Sequence, residues 1–277
     1  MAKGYALTIG LNSVNPDHYD GWSGDLTACE ADSKDMADIA KSKGFSVKTL
    51  LTRSATRKNV INELSKVAKT LKSDDIFMLS YSGHGGQVPD QNKDEDDFQD
   101  ETWCLYDGEL IDDEIYNLLG KFKSGVRIIV FSDSCHSGTV TKTAFYQGTM
   151  AARSSAVSPE PVRYRFMPPA IALRTYRKNK KFYDNLQKDP ALSKAEESVK
   201  ASGLLISGCQ DNQLSSDGTF NGLFTGTLLQ VWNDGKSSNY RKFYEAIVKR
   251  MPPDQTPNYY WVGQPSRTFE KQKPFTI

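Results

Sequence analysis

A chain of 277 residues and 31.0 kDa, 38% hydrophobic and 25% charged, has the composition of a globular protein with core enough for one large domain. Its 35 basic and 34 acidic residues leave a net charge of +1, which excludes a general nucleic-acid binder. The apolar runs fall far short of the ~20 residues a spanning helix needs. The N-terminus has no signal-peptide core, and the four scattered cysteines (Cys29, Cys104, Cys135, Cys209) form no disulfide framework, so a cytoplasmic protein without membrane contact is expected.

Strand and helix patterns alternate through the first half. Residues 5–11 read as a short apolar strand. Residues 26–43 have helical spacing, with Leu26, Cys29, Met36 and Ile39 on one face and Gly44 as a stop. Residues 45–51 read as strand, 56–71 as helix and 75–81 as a buried strand. After an acidic loop, 112–122 returns to helix and 126–132 to buried strand. This βαβαβ order predicts an α/β fold with a mostly parallel central sheet and helices on both faces. Residues 139–202 break the rhythm with five prolines and twelve basic residues against five acidic ones, a net of +7, and read as an exposed insertion. Strand resumes at 204–206, followed by helices near 221–232 and 240–250. The opposite pole is 90–114, with twelve acidic residues against Lys93, a net of −11.

The strand ending at Tyr81 runs into Ser82-Gly83-His84-Gly85-Gly86, and the strand ending near Ser132 runs into Asp133-Ser134-Cys135-His136-Ser137-Gly138. His84 and Cys135 therefore each sit just past a buried strand, where open α/β sheets bind their ligands. If the two strands are neighbours, thiol and imidazole meet. That is what a Cys/His hydrolase needs, since the imidazole takes the thiol proton and later supplies one to the leaving amine. The amides of Gly85 and Cys135 are the candidate oxyanion donors. His136 is the rival imidazole, but adjacent side chains on a turn diverge, so it reads as a structural group.

These motifs resemble the caspase-like peptidases, specifically the metacaspases and their bacterial relatives, the orthocaspases. The spacing of 51 residues between His84 and Cys135 fits that clan. Leu-Thr-Ala-Cys-Glu-Ala-Asp at 26–32, Phe-Gln-Asp-Glu-Thr at 98–102, Leu-Ile-Asp-Asp-Glu-Ile at 110–115 and Ile-Ser-Gly-Cys-Gln-Asp-Asn-Gln at 206–213 carry the same likeness. It covers 5–140 and 203–235 and leaves 141–202 undescribed. The Gln-Ala-Cys-x-Gly box of the Asp-specific caspases is absent.

The resemblance implies one caspase-like sandwich over 1–277. Residues 1–138 form a part carrying the dyad, 139–202 a basic linker and 203–277 a smaller second part. It implies a cysteine endopeptidase for polypeptides with Arg or Lys at P1, with Cys135 as nucleophile and His84 as general acid/base, acting as a monomer. By position, the P1 pocket would hold Cys29, Asp32, Ser82 and Asp133. On spacing alone Asp32 is a solvated helix carboxylate; the resemblance moves it into the pocket. Calcium-dependent metacaspases use acids that match Asp100, Asp112 and Asp113. A further Asp expected seven residues after the cysteine is Lys142 here, and a cation there opposes Ca²⁺. No cofactor is therefore expected to be required, and no Cys/His spacing suits zinc. The basic linker offers self-cleavage sites near Lys142 and Arg153. Two rivals remain, a non-proteolytic scaffold on a caspase-like fold and a cysteine amidase acting on a small-molecule amide.

Overall fold

The computed structural model describes residues 1–91, 98–134, 163–209, 216–218, 220–233 and 235–277. Five strands, β1 (Gly4–Gly10), β2 (Ser46–Leu51), β3 (Ile76–Ser82), β7 (Arg127–Asp133) and β9 (Ser202–Ser207), lie parallel. An antiparallel edge strand, β11 (Asn258–Gly263), completes the order β11-β9-β7-β3-β1-β2. Between β3 and β7 the chain adds an antiparallel sheet of β4 (Gly85–Pro89), β5 (Gln99–Leu105) and β6 (Gly108–Ile111). Two short strands, β8 (Arg163–Tyr164) and β10 (Ser216–Asp217), pair antiparallel.

The central strands are apolar at successive positions because both sheet faces are covered. Phe77, Leu79 and Tyr81 of β3, with Ile128 and Val130 of β7, meet helices α2 (Arg57–Thr70) and α3 (Asp112–Gly120). The alternate residues Met78, Ile129 and Phe131 pack with α1 (Cys29–Ser42) and, from the later chain, α6 (Leu223–Asn233) and α7 (Tyr240–Val248). This is the α/β sandwich that the alternation predicts, and the predicted elements sit within a few residues of the observed ones. Thr56 opens α2 by accepting the Asn59 amide on its hydroxyl at 3.2 Å. Among the described residues no helix is long and apolar enough to cross a membrane.

Two expectations need correction. The acidic stretch is not merely a loop, since it contains β5 and β6. Asp100 and Glu109 are buried there, and Glu114 is bridged to Arg57 at 2.7 Å. The described part of 139–202 is likewise not an exposed insertion. It carries α4 (Pro169–Lys178) and α5 (Lys180–Gln187), which bury Ala172, Thr175, Tyr176 and Tyr183 while Arg174, Arg177, Lys178 and Lys181 face outward. The described basic residues of that stretch lie on its outer face, with the exception of the buried Arg165. Lys142 and Arg153 lie outside the described residues, as does the acidic run 92–97. The remaining helix is the single turn α8 (Arg267–Glu270).

Candidate active site

The β3 and β7 strands are neighbours in parallel, with Ser82 opposite Asp133 at their carboxyl ends. The condition set by the sequence is thus met for the strands that carry His84 and lead to Cys135. Cys135 and His136 themselves lie outside the described residues.

His84 is held from several sides. Its backbone carbonyl accepts from the Tyr81 hydroxyl at 2.7 Å and from the Cys104 amide at 2.9 Å, while the Tyr81 ring stacks on Trp103. Its Nε2 lies 2.9 Å from the Gly24 carbonyl, and Trp22 covers the ring at 4.7 Å. Gly24 sits at φ +54°, and a Cβ there would press on both Trp22 and the His84 ring, so glycine permits this carbonyl contact. The bond at Nε2 leaves Nδ1 buried and without a hydrogen bond among the described residues. Burial lowers the His84 pKa to about 4. The Gly24 carbonyl and the backbone of Phe166 resist that shift, and the Arg165 cation adds to it. The ring is consequently neutral at neutral pH and can accept a proton.

Beside His84, four separate stretches of chain converge on the guanidinium of Arg165, which is completely buried. Nη2 bonds Asp32 at 2.7 Å and Asp217 at 2.9 Å, and Nη1 bonds Asp133 and the Ser82 hydroxyl, both at 2.8 Å. Each carboxylate has further donors. Asp32 accepts from Ser82 and from the amide of Gly222, Asp133 from the amide and hydroxyl of Thr225, and Asp217 from the amide and hydroxyl of Thr27. Gly222 is needed at this wall, because a Cβ there would lie 2.5 Å from Arg165 Cζ, Nη1 and Nη2. Burial pushes the Asp32 carboxyl up against the pull of Arg165, with Asp133 adding to the push. Asp217, despite its burial, is held below the usual carboxylate range by Arg165 and Thr27. Burial also opposes the Arg165 charge, but Asp133, Cys29, Asp32 and Asp217 together hold it firmly protonated. The Cys29 thiol is buried and pushed up by that burial.

The structure thus brings Cys29, Asp32, Ser82 and Asp133 together around one cation, and Asp32 is buried rather than solvated. Sequence reasoning missed Asp217 and Arg165. The signal for Arg165 was present as a basic residue in Arg-Tyr-Arg-Phe, within a chain whose resemblance called for a pocket that binds arginine. Asp100 is buried in β5, and Asp112 and Asp113 open α3. Among the described residues no three His, Cys, Asp or Glu side chains are grouped to hold a metal, and the neighbouring acidic run 92–97 lies outside those residues.

A family model described as the caspase domain of the C14 peptidases matches residues 3–274. The chain belongs to the caspase-domain family. Among its relatives, metacaspase-1 of Kluyveromyces lactis is 25% identical over 92% of the chain, and metacaspase-1 of Candida albicans is 26% identical over 89%. The chain spans 63% and 60% of the lengths of those proteins. A crystal structure of protein GSU0716 from Geobacter sulfurreducens superposes with a TM-score of 0.89 at 59% identity, covering 99% of each chain. The caspase-domain chain is metacaspase-like in sequence, and its carboxylate cradle lies at the strand ends that the family motifs mark.

Proposed function

We propose that the chain is a cysteine endopeptidase that cuts polypeptides after basic residues, with Cys135 as nucleophile and His84 as general acid/base. The observation that carries this reading is the Arg165 cradle. A guanidinium can be buried beside the catalytic histidine only because three carboxylates and a hydroxyl meet it there. A substrate arginine placed in the same cradle would bring its carbonyl to His84. Neutral His84 takes the Cys135 proton, the thiolate attacks the carbonyl carbon, and the Gly85 amide, with that of Cys135, bonds the developing oxyanion. The imidazolium then protonates the leaving amine, and water hydrolyses the thioester.

The test is hydrolysis of matched fluorogenic peptides with Arg, Lys or Asp at P1, with Ca²⁺ and with chelator. Arg cleavage is expected, falling about 10²–10⁴-fold in His84→Ala and vanishing in Cys135→Ala. Calcium is expected to leave the rate unchanged. Cleavage after Asp alone, or arginine cleavage that survives in Cys135→Ala, would sink the proposal. The filled cradle also supports a second reading, a latent module closed by its own chain. In that case no peptide is turned over.

A further inference from the structure

The amino ends of the parallel strands carry a second cleft, a full strand length from the turn that holds His84. β3 and β7 each run seven residues, so roughly 23 Å of sheet at ~3.3 Å per residue lies between the two. The cleft has a volume of about 710 Å³, within the range of small-molecule sites. Its walls come from the chain just ahead of β3, β7 and β9 and from the segment that follows β11.

Three cations line this cleft, Arg127, Lys200 and Lys273, against one acidic side chain, Asp74, so its side chains net +2. Arg127 stands in register between Ile76 of β3 and Ser202 of β9. Its Nη1 donates to Gln272 Oε1 at 2.6 Å and to the Thr276 carbonyl at 3.0 Å, and its Nη2 donates to the Asp74 carbonyl at 2.6 Å. All three acceptors are neutral. Burial holds its pKa below the ordinary guanidinium value while Tyr240, Asp74 and Asp75 resist, and the group stays charged at neutral pH. Elsewhere a buried guanidinium meets carboxylates: Arg165 has three and Arg57 has Glu114. Among the described residues no carboxylate forms an ion pair with Arg127, Lys200 or Lys273, and the two lysines are exposed. Ser202 Oγ is buried in the same wall without a hydrogen-bond partner among the described residues.

A partly buried cation calls for a counter-ion, and here the chain supplies none. A phosphate group carries about −1.5 to −2 at neutral pH and offers three strong acceptor oxygens, which matches both the net charge and the donors of this wall. The cleft is much larger than a phosphate alone. The rest of its surface presents the Thr268 hydroxyl and the Gln264 amide, and its one aromatic ring is that of the buried Phe269. Nucleobases stack on aromatic side chains, so this lining suits a polyol body better than a base. We propose that the cleft binds a small phosphate monoester with a polyol body, in chemical class a sugar phosphate. No residue of the His84 cleft takes part, and the proposal stands independently of the peptidase reading.

The experiment is isothermal titration calorimetry of the full chain near neutral pH in low salt, with ribose 5-phosphate, glucose 6-phosphate, ribose and inorganic phosphate as probes. At least one sugar phosphate is expected to bind at a single site, about tenfold or more tighter than inorganic phosphate, with no heat from ribose. Joint replacement of the unpaired surface lysines, Lys200→Ala with Lys273→Ala, should leave the ligand-free Tm unchanged and weaken binding about tenfold or more. Asp74→Asn removes the opposing charge at a position whose φ of +72° asparagine tolerates, and should tighten binding about two- to fivefold. A gain of that kind cannot arise from misfolding. Absence of binding by both sugar phosphates overturns the proposal, as does an Asp74→Asn chain that binds no better than wild type. Binding that the double lysine variant leaves unchanged overturns it too, and places the phosphate on another basic surface such as the outer face of α4 and α5. Inorganic phosphate binding as tightly as the esters overturns the sugar body.

Discussion

Replacing Arg165 by methionine, in a Cys135→Ala background so that the chain stays whole, removes the cation and retains most of its volume. Three carboxylates then remain buried together without a counter-charge. Breaking a buried ionic cluster from one side costs about 3–5 kcal/mol. The donors that remain on Asp32, Asp133 and Asp217 hold the estimate within that range rather than above it. For a chain of this size such a loss lowers Tm by roughly 6–10 °C. The loss is also pH-dependent, with a definite sign. Without the cation, burial raises the folded-state pKa of at least one carboxyl further, so the folded chain binds protons more readily than the unfolded one. That penalty is largest above the folded pKa and is relieved as pH falls toward the unfolded value, by about 1.4 kcal/mol per pH unit for each such carboxyl. The neutral His18 affects both proteins alike and cancels in the difference, whereas His84 loses the depressing charge of Arg165 in the variant, which narrows the gap on acidification in the same direction. Urea denaturation of the two proteins near pH 7.5 and near pH 5 measures the gap directly. A gap below about 1 kcal/mol at the higher pH, or one that does not narrow on acidification, would refute the claim that the cluster is held by its central cation.

Three further outcomes are expected. Peptides with P1 Arg should exceed those with P1 Lys by about tenfold in kcat/KM, because the two Nη atoms engage different carboxylates and an ammonium forfeits at least one charge-assisted bond; parallel kinetics of matched peptides decides it. Gly222→Ala places a methyl 2.5 Å from the Arg165 guanidinium and should cost about 1–3 kcal/mol, read as a lowered Tm. Glu109, whose pKa burial raises to about 7, binds a proton more readily when folded and so adds roughly 2 kcal/mol of stability as pH falls from about 7 to 5. His18 and His84, each lowered to about 4 chiefly by burial, act in the opposite sense over the same interval. Glu109→Gln removes the compensation, and its denaturation midpoint should fall more steeply with acid than that of the wild type.

The strand ends that carry the site were legible because β3 and β7 are covered on both faces and so read as unbroken apolar runs closed by glycine-rich turns. His84 needed nothing more. Asp32 did, since a carboxylate in the first turn of an amphipathic helix looks solvated until the neighbouring chain is known, and only the family resemblance placed it in the pocket. The sheet of β4, β5 and β6 was hidden by composition. Its buried Asp100 and Glu109 count as surface charge in any tally, although both side chains face inward. Arg165 was hidden the same way, one cation among twelve in its stretch, distinguished only by acids more than 130 residues upstream and 52 downstream in the chain. The β11 strand was legible and passed over: Asn-Tyr-Tyr-Trp-Val-Gly is an aromatic run bounded by Pro257 and Pro265.

If the chain is the peptidase proposed above, the pairing of β8 with β10 sets a mechanical condition on what its cleft accepts. A peptide there would be read through its main chain over the span equivalent to Arg163–Met167, roughly 17 Å of straightened backbone at ~3.3 Å per residue. A helix covers less than half that distance with the same residues and keeps its amides to itself. Arginines in the folded interior of other proteins would therefore be out of reach however well they match the cradle. What such a peptidase would sample is how often a target's loop or tail pulls straight, so its choice among proteins would be governed as much by their local melting as by their sequence.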